Sequence, residues 1–103
     1  MVHGLYTIVK QDVEQIILQL SSESHPVFHA HFPNYPILPG FALIDIIADI
    51  LNDNVVNIMQ SKFIAHIKPN DVLTCTIKSD EKKRNIKIFK NEEKVSEIAY
   101  ESN

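Results

Sequence analysis

Apolar and polar residues alternate along most of this chain, and the period changes once. From Val13 to Ser21, Ile16, Leu18 and Leu20 alternate with Ile17 and Gln19, a period of two that predicts a strand over 13–21. A weaker strand is predicted over 5–9, and Ser21 to Ser24 reads as a turn. Beyond residue 54 the period of two returns. Val56 and Ile58 alternate with Val55 and Asn57, Phe63, Ala65 and Ile67 with Lys62, Ile64 and His66, and Leu73, Cys75 and Ile77 with Thr74, Thr76 and Lys78. Further strands are predicted over 86–90 and 95–100, separated by turns at Pro69-Asn70-Asp71, Asp80 to Asn85 and Asn91-Glu92-Glu93. Each strand has one greasier face, as in an antiparallel sheet packed on one side.

Between the two strand regions lies the exception, residues 25–49, HPVFHAHFPNYPILPGFALIDIIAD. Pro33, Pro36 and Pro39 each fix their own φ and push the preceding residue toward an extended conformation, so 32–38 should be stiff and non-helical. Gly40 then opens a helix over about 41–51, ended by Asn52-Asp53-Asn54. Asp45 and Asp49 are the only polar residues in that helix, which predicts that it is buried rather than one-sided. The two acids stand one turn apart, where ionised carboxylates repel. The first-turn N–H groups lack intrahelical partners and carry the positive end of the helix dipole, and a glycine there lets a ligand approach the backbone. One buried helix with a run of antiparallel strands is an α+β arrangement.

Composition narrows the function classes. The 103 residues fit a single domain, 1–103, with 45% hydrophobic and 22% charged content typical of globular proteins. A net charge of −3 gives no support to nucleic-acid binding. No apolar run reaches the length of a membrane span and the N-terminal residues lack a signal-peptide core, so a cytoplasmic protein without a membrane partner is expected. The single cysteine, Cys75, excludes an internal disulfide and, on a strand between two threonines, reads as a buried inert thiol.

The segment His31-Phe32-Pro33-Asn34-Tyr35-Pro36-Ile37-Leu38-Pro39-Gly40, followed by Asp45, resembles the active-site signature of the 3-hydroxyacyl-acyl-carrier-protein dehydratases of the hot-dog fold. A fainter match continues through Lys62-Phe63 and Lys68-Pro69-Asn70-Asp71. The resemblance implies an antiparallel sheet wrapped around one central helix, without the N-terminal helix that many relatives carry. It also implies a homodimer or an assembly of dimers, with His31 and Asp45 of one site drawn from different subunits; an unpaired sheet edge points the same way. The better-known members carry glutamine where Asp49 stands.

By this resemblance His31 and Asp45 are the catalytic pair. Dehydration requires removal of an α-proton, stabilisation of the thioester oxygen as it gains charge, and departure of hydroxide as water. His31 suits the first step as general base, worth roughly 10²–10⁴-fold. The Gly40 N–H suits the second as an oxyanion donor, and Asp45 the third as donor to the leaving hydroxyl. Phe32, Tyr35, Pro39, Phe41 and Asp49 are expected around the substrate, an acyl carrier protein or coenzyme A thioester. The basic residues of the second half, Lys62 to Lys90, read either as a solvated sheet face or as a surface for an acidic carrier protein.

Other readings compete. His25-x3-His29-x-His31 could be read as three zinc ligands, but the signature accounts for His31 without a metal, and neither metal nor cofactor is expected. His29 reads as a loop contact, His25 and His66 as structural, and His3 as exposed. A hot-dog thioesterase using Asp45 and Asp49 to activate water is the second hypothesis. A non-catalytic acyl-binding or partner subunit is the third.

Overall fold

The computed structural model describes residues 2–30 and 34–103. Strands β1 (Tyr6–Gln11) and β2 (Gln15–Leu20) form a hairpin, followed by a short 3-10 turn (Pro26–His29), helix α1 (Gly40–Leu51) and strands β3 (Val55–Phe63), β4 (Val72–Asp80), β5 (Lys83–Lys90) and β6 (Glu93–Ser102). The strands make a six-stranded sheet in the order β1-β2-β4-β5-β6-β3, with every neighbouring pair antiparallel. The expected α+β class, with one helix against an antiparallel sheet, is the observed one.

Period-two burial builds the inner face of the sheet. Ile16, Leu18 and Leu20 are buried on β2, Leu73, Cys75 and Ile77 on β4, and Ile86 and Ile88 on β5. The register sets Ile16 opposite Cys75, Cys75 opposite Ile88, and Ile77 opposite Ile86, so these residues stack in rows across the sheet. Ala42, Leu43, Ile46 and Ile47 of α1 belong to the same buried cluster. Cys75 is fully buried, and burial pushes its thiol up to about 12, which keeps it protonated and inert as expected.

Some element boundaries differ from the pattern, each for a local reason. The strand expected over 13–21 begins at Gln15, because the Asp12 carboxylate accepts the N–H groups of Glu14 and Gln15 and folds 12–14 into the turn. The turn expected over 80–85 contracts to Glu81-Lys82, with Glu81 at φ 56, and Arg84 and Asn85 join β5. Asn91 and Glu92, with φ of 51 and 69, form the β5–β6 turn, two left-handed residues that match strand twist. The two strands expected at 55–58 and 62–67 are one strand, β3, whose register against β6 slips between Val55 and Asn57 and again between Ile58 and Gln60. The strand ends at Phe63, the Ile64 and Ala65 N–H groups share the Val95 carbonyl, and Ile67 is buried in the loop beyond.

The helix departs from expectation in burial. Ala42, Leu43, Ile44, Ile46 and Ile47 are buried, but Phe41 and Asp49 are exposed and Asp45 is half-buried. The sheet covers one side of α1 only, so the stripe carrying both acids stays open. The helix ends with Asn52 left-handed at φ 55, its N–H bonded to the Asp49 carbonyl and that of Asp53 to the Ala48 carbonyl, which terminates the last turn.

Candidate functional site

Gly40 and its surroundings are built by three segments. The proline loop reaches the helix with the Ile37 N–H bonded to the Tyr35 carbonyl and the Leu38 N–H bonded to the Ile67 carbonyl at 2.7 Å. Pro39 caps the helix with extended angles, φ −63 and ψ 147, and its side chain supplies no capping hydrogen bond. Within the first turn the Ala42 N–H returns to the Pro39 carbonyl at 3.1 Å, and the Gly40 N–H stands at the helix start beside the loop. From the last residue of β3, Phe63, the chain to Ile67 closes the third side.

These segments enclose a cavity of about 420 Å³, lined by Ile37 to Pro39 of the loop, Gly40 and Leu43 of the helix, Phe63 at the end of β3, and Ala65, His66 and Ile67 beyond it. Its walls are mostly apolar with few polar groups, the usual make-up of a small-molecule site. His66 is the ionisable side chain on this wall; from the sequence it reads as structural, because nothing in the local pattern shows that residues 63–67 fold back over Gly40.

The acids lie elsewhere on the helix. Gly40 and Asp45 differ by about 140° around the axis and roughly 7.5 Å along it. Asp45 and Asp49 instead line a shallow cleft with Val2, Ala48, Asn52 and Asp53. Tyr6 of β1 crosses to this face and donates its hydroxyl to the Asp49 carboxylate. Burial first, then the hydrogen bond and charge of Asp49, push the Tyr6 hydroxyl up to about 12, so it stays a donor at all ordinary pH values. Tyr6 has no signal in the sequence, being one aromatic in a weak strand.

Beside the acids, Asp53 is fixed from three sides. Arg84 Nε and Nη2 donate to its two carboxylate oxygens at 2.7 and 2.9 Å, and the Tyr100 hydroxyl donates to Oδ2. Burial alone would raise the Asp53 carboxyl, but Arg84 and Tyr100 together hold it below the usual carboxylate range. Tyr100 is raised, by burial and then by Asp53. The cluster ties the C-terminal end of α1 to β5 and β6.

The remaining expected residues are placed as follows. His31 and Phe32 lie outside the described residues. Pro39 and Gly40 line the cavity. Tyr35 is 70% exposed on the loop and Phe41 43% exposed on the acid face, neither on that cavity wall. Of the three histidines in the zinc-like spacing, His25 accepts the Val27 N–H at Nδ1 and contacts the His3 carbonyl through Nε2, capping the 3-10 turn, while His29 Nε2 contacts the Glu23 carbonyl. No cluster with metal-ligand geometry occurs among the described residues. The basic series is partly tied up: Arg84 is bound to Asp53 and Lys90 to Asp71. Among the described residues no helix is long and apolar enough to cross a membrane.

Against known proteins, a family model described as ApeI dehydratase matches residues 8–100. Two curated relatives are 3-hydroxyacyl-[acyl-carrier-protein] dehydratases FabZ. That of Ruminiclostridium cellulolyticum is 35% identical over 66 residues, covering 52% of this chain and 46% of its own. That of Fusobacterium nucleatum is 35% identical over 69 residues, covering 56% and 49%. The chain thus matches about half the length of these curated relatives. Among solved structures, the dehydratase heterocomplex ApeI:P from Xenorhabdus doucetiae superposes with a TM-score of 0.77 at 20% identity, over 93% of this chain and 96% of that one. Thioesterase superfamily member 2 from Mus musculus superposes with a TM-score of 0.68 at 14% identity, over 98% and 84%. At these identities the likeness is one of fold.

Proposed function

The chain belongs to the ApeI-like dehydratase family, and on that premise we propose that it dehydrates a 3-hydroxyacyl thioester carried on acyl carrier protein to the trans-2-enoyl thioester, in fatty-acid or related polyene synthesis. His31 takes the α-proton, and the electron pair moves toward the thioester oxygen, which the Gly40 N–H stabilises. The pair then returns to form the α,β double bond as the C3–O bond breaks. Asp45 donates to the departing hydroxyl, which leaves as water. No redox partner or cofactor enters this balance.

The observation that carries the reading is the apolar-walled cavity of about 420 Å³ set against Gly40 at the helix start, where a thioester oxygen would meet the Gly40 N–H and an acyl chain would meet hydrocarbon. The separation of Gly40 and Asp45 on different helix faces supports a site completed by a second subunit. Strand β3 is a sheet edge with Val56, Ile58 and Met59 each at least 42% exposed, an unpaired apolar edge suited to another hot-dog chain. A homodimer, or an assembly of dimers, is the arrangement we favour.

The test is incubation with a 3-hydroxyacyl carrier substrate and product analysis. Trans-2-enoyl thioester at a rate far above the protein-free control is expected. Release of free thiol without enoyl product would assign the chain to thioester hydrolysis instead, and no turnover by the assembled protein would leave an acyl-binding or partner role.

A further inference from the structure

We propose that Phe63 is the specificity-determining residue of the cavity at Gly40, its ring forming the wall that limits the acyl chain; this rests on the acyl-thioester reading of that cavity. Three ring carbons of Phe63, Cζ, Cε1 and Cε2, fill the space where a β-carbon on residue 40 would stand, so that any side chain there would collide with the ring. A β-carbon at position 40 would have to displace the ring from this place. Ring edge and helix backbone together narrow the cavity at the amide assigned to the thioester oxygen.

The backbone under this ring is fixed while the ring is not. On one side the Lys62 carbonyl accepts the hydroxyl of the fully buried Ser96 at 2.8 Å. On the other, the N–H groups of Ile64 and Ala65 both reach the Val95 carbonyl, at 2.8 and 3.2 Å. Phe63 is nevertheless 50% exposed, at the last position of an edge strand, so core packing does not lock its rotamer. A side chain anchored in this way sets the width of a site without altering the fold. Apolar pockets discriminate about tenfold or more per methylene, so exchanging a phenyl ring for a smaller group should be read directly in chain-length preference.

The experiment compares the full-length protein with Phe63→Ala and Phe63→Leu, using 3-hydroxyacyl carrier substrates from butyryl to decanoyl length, and in parallel the binding of saturated acyl-coenzyme A of the same lengths by calorimetry. Phe63→Ala should raise the decanoyl-to-butyryl ratio of kcat/KM, and of affinity, by about tenfold or more, with Phe63→Leu between it and the parent. Unchanged ratios in folded variants would overturn the proposal. Absence of enoyl product alongside a shifted binding profile would sink the dehydratase reading but not the wall; a parent protein that binds no acyl chain and turns none over would overturn both. The Gly40→Ala change supplies a structural check, because its thermal destabilisation should be largely relieved when combined with Phe63→Ala. Equal destabilisation with and without Phe63 would show that the ring does not hold this position.

Discussion

The Tyr6 hydroxyl donates to the Asp49 carboxylate at 2.5 Å, joining the first strand to the helix face that carries Asp45. The bond gives Asp49 a fixed direction at the position where the better-known dehydratases carry glutamine. It also makes Tyr6 the natural probe of that face, because a phenol reports its surroundings spectroscopically.

Tyr6 should ionise near pH 12 rather than near the ordinary value of about 10. A raised phenol favours the neutral form, so its contribution to stability is complete below about pH 10 and is lost as pH rises through about 12. In an alkaline absorbance titration, Tyr6→Phe should remove one late-titrating phenol, and Asp49→Asn should move it partway back by removing the charge while burial remains. A titration curve unaltered by both substitutions would show that the hydroxyl does not face Asp49.

For the proposed catalytic pair, His31→Ala should lower the dehydration rate at least ~10²-fold with the fold retained, the magnitude of a lost general base. Asp45→Asn should remove most activity in the same assay. Near-normal turnover in circular-dichroism-validated His31→Ala protein would remove His31 from the mechanism.

Sedimentation at micromolar concentration should find a dimer or a multiple of dimers. A charge placed on the apolar edge, as in Ile58→Lys, should shift the population toward monomer and reduce dehydration with it, because Gly40 and Asp45 of one protomer do not share a cavity. A fully active monomer would refute the two-subunit site.

Acid stability should depend on Asp53. Its carboxyl is held low in the folded protein, so the stabilisation is present above about pH 4, the unfolded value, and is lost as pH falls through the lower folded value. Breaking the pair with Arg84→Met leaves a carboxylate whose side chain is 7% exposed. The loss should be roughly 2–3 kcal/mol, less than the 3–5 typical of a fully buried pair because Arg84 is partly in solvent. Urea denaturation at pH 7 measures it; a change under 0.5 kcal/mol, on the order of an ordinary surface substitution, would mean the pair is not holding the helix end.

By itself the sequence determined the elements and the chemistry-bearing segment. Alternation is a local property, so Ile16 to Leu20, Leu73 to Ile77 and Ile86 to Ile88 announce the sheet's inner face from neighbours alone. Proline restricts its own and the preceding residue, so the stiff run into Gly40 and the helix start there were equally legible. The spacing from His31 to Asp45 marked the family in the same local way, although His31 lies outside the described residues. Tertiary structure alone decided which distant groups meet. Tyr6 and Asp49 are 43 positions apart, Asp53 and Tyr100 are 47, and neither pairing leaves a trace in periodicity. The β3 bulges and the fold-back that sets Phe63 on Gly40 and His66 on the cavity wall are likewise tertiary. The helix read as buried all round because residue type records hydrophobicity but not coverage. One sheet covers one side of a helix, and the face holding Phe41, Asp45 and Asp49 is the side it leaves open.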